Sequence, residues 1–281
     1  MKKYILSIDQ GTTSSRVVLY DNKFNICSIV QKEFKQYFPK DGWVEHDALE
    51  IWKDTKFLIS KLIKKNKLKP FQIISIGITN QRETTVLWNK KTGKPINKAI
   101  VWQDRRTSDY CKKLKNFKKD ILIQKITGLV LDPYFSATKI KWILDNNPKA
   151  KKILNENNLL FGTIDSWLLW NLTKGKSHLT DITNASRTMI FDSKKEEWSN
   201  TLLRLFNIPK SILPRVVENA YNFGTTRLFG GSIQIGGMAG DQQSATIGQA
   251  CFNTGQSKST YGTGCFLLMN IGNKFKSSSN K

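Results

Sequence analysis

The segment from Ile5 to Tyr20 constrains the fold of this chain more than any other stretch. A short apolar run ends at Asp9, Gly11 and four consecutive hydroxyl residues follow, and a second apolar run begins at Val17. This pattern predicts two strands joined by a tight polar turn. Such a turn offers backbone N–H groups and hydroxyl donors to an anion, and Gly11 has no Cβ to block the anion's approach. Asp9 is suited to hold a divalent metal that bridges phosphate oxygens. The segment therefore indicates a phosphate-binding hairpin, with an ordinary hairpin that has a Ser/Thr-rich turn as the alternative.

The elements after this hairpin predict a mixed sheet covered by helices. A third strand is predicted over 26–34, and an amphipathic helix begins after Asp47 and ends before Pro70. A strongly apolar strand of the buried kind follows over 73–79. Three strands, a helix and a buried strand are typical of an α/β sheet with helices packed on it. Further helices are predicted from 102–106 onward, after Asp132–Phe135, and over 148–156, 164–171 and 198–206.

Polar clusters follow two of the predicted strands at the point where each strand ends. The buried strand over 73–79 runs into Asn80-Gln81-Arg82-Glu83, and a glycine-rich strand ends at Asp241 before a predicted helix over 242–247. Open α/β sheets bind ligands at the carboxyl ends of their strands. The alternatives are a surface ion pair for Arg82 and Glu83 and a helix cap for Asp241.

A second strand, Gly/Thr turn and strand over 256–270 repeats the pattern of the opening hairpin. Two similar hairpins at opposite ends of the chain imply two related halves that face one nucleotide.

Composition limits the class of protein. A length of 281 residues suggests about two domains, and the four scattered cysteines argue against a zinc site or a disulfide framework. No signal peptide and no membrane-spanning run is predicted, so we expect a cytoplasmic protein without membrane insertion. The formal net charge of +23 is unusual, but it comes mostly from dispersed lysines without a nucleic-acid motif. We therefore expect no specific nucleic-acid partner.

Several motifs, in order along the chain, together resemble the glycerol kinases of the FGGY carbohydrate kinase family, which share the actin and hexokinase ATPase fold. The motifs are Asp9–Arg16, Trp43–Asp47, Gly77–Thr85, Asp132–Ser136, Gly240–Gln243 and Tyr261–Phe266. The resemblance implies an α/β fold with a ribonuclease H-like mixed sheet and flanking helices, plus the start of a second similar domain. It places the first domain over residues 1–248 and the truncated second domain over 249–281.

The resemblance also implies a reaction and a set of site residues. The reaction is the MgATP-dependent phosphorylation of glycerol to sn-glycerol 3-phosphate, with ATP and Mg²⁺ as cofactors. The implied glycerol contacts are Arg82, Glu83, Trp102, Tyr134, Asp241, Gln242 and Phe266, with Asp241 as the general base. The implied nucleotide-phosphate contacts are Thr12, Thr13, Ser14, Arg16 and Thr263, and Asp9 is the implied magnesium ligand. The alternative for Trp102 and Tyr134 is a core position, and we expect His46 and His178 to be structural.

The sequence departs from the family pattern in two ways. Family members continue for nearly as much chain again, so we expect this chain to be a fragment of a protein that is a homo-oligomer when full length. The region Thr225–Gly231 lacks the Gly-Gly-Lys-Gly-Gly-Thr-Arg-like run that binds fructose 1,6-bisphosphate in bacterial members, so we do not expect that regulation. The alternatives are a kinase for another small polyol or pentose, and a non-catalytic remnant that binds glycerol or polyanions.

Overall fold

A computed structural model of the chain describes residues 2–273. Its strands are β1 Tyr4–Gln10, β2 Ser14–Asp21, β3 Ile26–Glu33, β4 Gln36–Tyr37, β5 Glu45–His46, β6 Ile73–Asn80, β7 Val86–Asn89, β8 Ala99–Ile100, β9 Leu159–Gly162, β10 Leu179–Asp181, β11 Phe191–Asp192, β12 Glu197–Trp198, β13 Arg215–Val217, β14 Ala220–Thr226, β15 Ile233–Gly240, β16 Ser257–Tyr261 and β17 Cys265–Met269. Its α-helices are α1 Ala48–Lys65, α2 Ser108–Asn116, α3 Lys119–Thr127, α4 Ser136–Asn146, α5 Pro148–Asn155, α6 Ile164–Leu172, α7 Ile182–Ala185, α8 Asn200–Phe206 and α9 Asp241–Gly248. The last eight residues of the predicted second domain, 274–281, lie outside the described residues.

A six-stranded mixed sheet organises the fold, with the strand order β14-β15-β6-β1-β2-β3. β1, β2 and β3 are the predicted hairpin and third strand and pair in antiparallel order, whereas β6 pairs in parallel with both β1 and β15. Asn80 is therefore in register with Gln10 on one side and with Gly240 on the other. The carboxyl ends of these three strands meet at one edge of the sheet, and each leads directly into a motif singled out in the sequence. The mixed sheet with flanking helices is confirmed.

Helices cover this sheet because their apolar residues recur on one side. α1 begins at the predicted cap, where the Asp47 carboxylate accepts the Leu49 backbone N–H at 2.9 Å. α1 and α6 contribute residues to the same buried cluster as the sheet, and the Trp167 indole donates to the Ala48 carbonyl at 2.8 Å. A second buried cluster lies among α4, α8 and neighbouring segments and includes Phe206. The two clusters together support the loops that carry the polar motifs.

Two predicted helices begin later than expected, and one strand was not predicted. The helix predicted over 198–206 begins only at Asn200, because Trp198 pairs with Phe191 in a small antiparallel sheet. The helix predicted from 102 begins at Ser108. β14 was missed because only two of its seven residues are buried, so its sequence shows little apolar alternation.

None of the helices among residues 2–273 is both long enough and apolar enough to cross a membrane. All four cysteines are free thiols in the structure.

His46 connects the fold to the edge where the strands end. Its ring is fully buried between two glutamine side chains, with Nε2 2.5 Å from Gln36 Oε1 and Nδ1 3.2 Å from Gln81 Nε2. Since the Gln81 amide nitrogen donates, Nδ1 must accept, and the ring proton lies on Nε2 toward Gln36. The ring is therefore neutral, and burial lowers the pKa of His46 to about 3. This agrees with the structural role expected for His46.

This depressed pKa gives the protein an acid-sensitive element. The unfolded chain takes up a proton on His46 near pH 6.5, whereas the folded chain does so only near pH 3. The stability that His46 contributes is therefore complete above pH 6.5 and is lost as the pH falls from that value toward 3. Relative to a His46→Asn variant, we expect the free energy of unfolding of the unsubstituted chain to decline by about 2–3 kcal/mol between about pH 7.5 and about pH 4.5. Urea denaturation of both proteins at each pH measures this difference. Other groups titrate in both proteins and cancel, so a difference that does not change with pH would contradict the assignment.

Candidate active site

The ends of β1, β6 and β15 open into a cleft of about 350 Å³. The turn between β16 and β17 contributes to the same cleft, so the two predicted phosphate-type hairpins share one cavity. The lining residues are Asp9, Gly11, Thr12, Ser14, Arg16, Gln31, Arg82, Glu83, Trp102, Tyr134, Asp241, Gln242, Thr260, Gly262, Thr263, Gly264 and Phe266. All predicted site residues except Thr13 are among them. The Thr13 side chain is exposed outside this cavity, and its backbone carbonyl accepts the Phe34 N–H at 3.2 Å.

Arg82 crosses the floor of the cleft and is almost completely buried. Its Nε lies 3.0 Å from Asp241 Oδ1, but the N–H is not aligned with that oxygen. Among residues 2–273, Arg82 Nε therefore has an ionic partner but no hydrogen-bond acceptor. Gly240 makes room for this side chain, because a Cβ at Gly240 would lie 2.6 Å from Arg82 Cδ. Arg82 lines the cleft, although its Nε atom is itself enclosed by protein.

Glu83 is held in a left-handed conformation with φ of 61°. Such a conformation is unfavourable for a residue with a Cβ and persists where the surroundings fix it. Here the Glu83 carbonyl accepts the Ser136 hydroxyl at 2.9 Å, and its carboxylate accepts Arg187 Nε at 2.7 Å. Burial raises the pKa of Glu83, and the positive charges of Arg187 and Arg82 oppose that shift. The alternative of a surface Arg82–Glu83 pair is wrong, since both side chains are buried and each pairs with another residue.

Asp241 is the first residue of α9, and Gly240 rather than Asp241 occupies the cap position. Its carboxylate is one-third exposed to the cleft and accepts the Gln242 backbone N–H at 2.7 Å. Burial raises the pKa of Asp241, and the negative charge of Asp9 adds to this while Arg82 opposes it. A carboxylate with a raised pKa is a better proton acceptor than a fully solvated one.

Three aromatic rings form one wall of the cleft. The centroid of the Trp102 ring lies 5.4 Å from that of Tyr134 and 6.1 Å from that of Phe266. The Trp102 indole donates to the Thr12 hydroxyl at 3.0 Å, which joins this wall to the first hairpin. Trp102 and Tyr134 are partly exposed to the cavity, so neither is the core aromatic of the alternative prediction.

Asp9 lies at the other end of the cleft, on the side of the first hairpin. Arg16 Nε donates to Asp9 Oδ2 at 3.1 Å, and the Ser14 hydroxyl accepts Gln31 Nε2 at 2.9 Å. Within the described residues no group of three or more His, Cys, Asp or Glu side chains is placed to hold a metal. Such a group is not needed for Mg²⁺, which is usually bound by one or two carboxylates together with substrate phosphates. Asp9, Glu83 and Asp241 are the carboxylates that line the cleft, and Glu83 is already paired with Arg187.

Two basic residues were missed in the sequence. Arg187 pairs with Glu83, and its guanidinium lies 5.7 Å from the Tyr134 ring centroid. The one sequence feature that could have identified Arg187 is its charge just before the apolar run Met189–Phe191. Lys139 is fully buried, and its ammonium donates to the carbonyls of Pro133, Tyr134 and Phe135 at 2.5, 2.6 and 3.3 Å. The sequence feature that could have identified Lys139 as buried is its position on the apolar side of α4, one turn before Ile143.

Known proteins similar to this chain point to one family. The family model for the FGGY family of carbohydrate kinases, N-terminal domain, matches residues 4–248. The glycerol kinase of Alcanivorax borkumensis is 55% identical over 276 residues, which are 98% of this chain and 56% of that relative. The glycerol kinase of Clostridium botulinum is 56% identical over 282 positions, which cover 100% of this chain and 57% of that relative. The chain thus spans little more than half the length of these relatives.

Solved structures agree with the sequence relatives. The crystal structure of Plasmodium falciparum glycerol kinase with ADP superposes with a TM-score of 0.94 at 42% identity, over 99% of this chain and 56% of that one. Gluconate kinase from Lactobacillus acidophilus superposes with a TM-score of 0.85 at 24% identity, over 95% of this chain and 54% of that one, and shows the shared fold. The family model covers most of the chain, and these relatives agree with it. The chain, with its cleft at the strand ends, therefore belongs to the FGGY family of carbohydrate kinases.

Proposed function

We propose that this chain is the amino-terminal part of a glycerol kinase, which uses MgATP to convert glycerol to sn-glycerol 3-phosphate and ADP. The observation that carries the proposal is the convergence of a buried guanidinium, two carboxylates and an aromatic wall at one end of the cleft. Glycerol kinases that are 55 and 56% identical to this chain support the choice of glycerol.

The polar and apolar sides of this pocket match the two sides of a polyol. Glycerol has hydroxyl groups that donate and accept hydrogen bonds, and a carbon backbone that favours an apolar surface. Glu83 and Asp241 supply acceptors and the Arg82 guanidinium supplies donors, since all three residues line the cleft. The Trp102 and Phe266 rings supply the apolar surface. A few fixed polar groups on an apolar wall are typical of a small-molecule site.

Asp241 is the proposed general base. Its raised pKa and its partial exposure to the cleft suit it to accept the proton of the attacking hydroxyl. Gln242 follows at the amino-terminal end of α9, and we propose that it also contacts glycerol.

The two hairpins are the proposed site for the phosphates of ATP. Thr12, Thr13 and Ser14 follow β1, and Thr263 lies in the turn between β16 and β17. Their backbone N–H groups, the hydroxyl groups of Thr12, Ser14 and Thr263, and the Arg16 guanidinium are suited to bind phosphate oxygens. Asp9 is the proposed Mg²⁺ ligand, and the bound ion would neutralise phosphate charge during transfer. For Arg16 to reach a phosphate, its ion pair with Asp9 must open.

Further proposals concern the domain boundary in this chain and the full-length protein. The first domain ends with α9 at Gly248, and the second begins at residue 249. The full-length protein is proposed to be a cytoplasmic homo-oligomer with glycerol, ATP and ADP as its partners.

The glycerol site is testable on the 281-residue chain. Arg82→Lys keeps the positive charge but removes the planar set of guanidinium donors, and a hydrogen bond to a charged group is worth about 1.5–3 kcal/mol. We therefore expect the glycerol dissociation constant to rise by about tenfold or more, measured by isothermal titration calorimetry. Arg204→Lys is the matched control on the exposed side of α8, and we expect it to bind glycerol like the unsubstituted protein. Equal affinities for all three proteins would contradict the role of Arg82.

Asp241 is testable in a form that carries the complete second domain. Asp241→Asn removes the proton acceptor but keeps the size of the side chain, so we expect turnover to fall by about 10²–10⁴-fold while glycerol binding persists. A coupled assay of ADP release measures turnover with glycerol and with xylulose. Turnover by the variant at the unsubstituted rate would exclude Asp241 as the base. A preference for xylulose over glycerol would instead overturn the proposed substrate.

A further inference from the structure

Asp181 has a buried carboxylate that does not line the cleft. It lies behind the ends of β6 and β15, where two polar segments of the cleft begin. Asp181 is the last residue of β10, and its side chain is completely buried. Its carboxylate accepts the Thr183 backbone N–H at 2.7 Å, the Thr183 hydroxyl, Asn184 Nδ2 at 2.6 Å and Asn219 Nδ2 at 2.8 Å. All four contacts are donors, so the site requires a group that only accepts hydrogen bonds. An ionised carboxylate meets this requirement.

One arm of this network reaches Gly240, the residue immediately before Asp241. The Thr183 hydroxyl donates a hydrogen bond to Asp181 and accepts one from the Gly240 backbone N–H at 2.8 Å. Asn219 extends the same arm, since its amide bonds both Asp181 and the Met238 carbonyl, the latter at 2.9 Å. Asp181 thereby fixes the end of β15 that carries the proposed base.

The other arm reaches Asn80, the last residue of β6. The side chains of Asn184 and Asn80 exchange two hydrogen bonds, at 2.9 and 3.1 Å. Asn80 Nδ2 also donates to the Gln81 carbonyl at 2.9 Å, at the start of the segment that leads to Arg82 and Glu83. Asn80 and Gly240 are in register across β6 and β15, so both arms end at the same level of the sheet.

We propose that Asp181 is a positioning residue that aligns the end of β6, which carries Arg82, with the end of β15, which carries Asp241. It contacts neither end directly and acts through Thr183 and Asn184. Its importance for glycerol binding rests on the proposed function, whereas the alignment itself does not.

The test of alignment uses hydrogen exchange, which needs no ligand. Both oxygens of the Asp181 carboxylate accept hydrogen bonds. In Asp181→Asn the amide NH₂ replaces one of these oxygens and faces a donor, so the network loses at least one hydrogen bond. We expect the Gly240 N–H to exchange about tenfold faster or more, measured by NMR, while the Ile8 N–H in the centre of the sheet changes by less than about twofold. Asp165→Asn is the matched control, because Asp165 is equally buried but bonds Thr163, Thr180 and Ser166 rather than residues of β6 or β15.

A second pair of variants keeps the test decisive if Asp181→Asn does not fold. Thr183→Val removes the acceptor of the Gly240 N–H, whereas Thr183→Ser retains the hydroxyl. We expect Thr183→Val to accelerate Gly240 exchange and to weaken glycerol binding by about tenfold, and Thr183→Ser to restore both. Unchanged Gly240 exchange in Asp181→Asn or in Thr183→Val, or an equal effect of Asp165→Asn, would overturn the alignment. If the unsubstituted chain binds no glycerol, the proposed function fails while the exchange measurements still decide the role of Asp181.

Discussion

The parallel pairing of β6 with β1 and β15 is the constraint on which the rest of this structure depends. It places Gln10, Asn80 and Gly240 side by side, and a polar segment of the cleft starts from each of these three residues. In a parallel sheet the strand ends meet without any special side-chain chemistry, because the strands run in one direction. The backbone thus brings together residues that are more than 200 positions apart in sequence, such as Asp9 and Asp241.

Buried charges are the second condition for this site. Arg82, Glu83 and Arg187 are largely removed from water, and an unpaired buried charge is strongly unfavourable. The structure meets this cost by pairing Glu83 with Arg187 and Arg82 with Asp241. These pairs still leave about a third of the Asp241 side chain exposed to the cleft. A site of this kind is prearranged, so that a ligand replaces little of the existing hydrogen bonding when it binds.

Local features of the site were predictable from the sequence, whereas its supporting contacts were not. The hairpin after β1 and the cap at Asp47 depend on residues within one turn, so their residue types reveal them. The resemblance to a known family supplied the roles of residues such as Trp102, which no local pattern indicates. The links from Asn80 to Asn184 and from Glu83 to Arg187 each join residues 104 positions apart. Nothing in a single sequence specifies such a pair, because both partners are ordinary polar residues until the fold brings them together. β14 was missed for a related reason, since its position in the sheet depends on pairing with β15 rather than on its own apolar pattern.

The indole N–H signals of the tryptophans test directly whether the cleft beside Trp102 binds glycerol, as proposed. The ¹⁵N-labelled chain contains eight such groups, and Trp102→Phe identifies the signal of Trp102 by its loss. Trp198 is an internal control, because its indole donates to the Pro214 carbonyl in the buried second cluster. On titration with glycerol, we predict a saturable shift of the Trp102 signal and none of the Trp198 signal. Saturable binding that leaves the Trp102 signal unchanged, or no shift of any signal, would contradict the account.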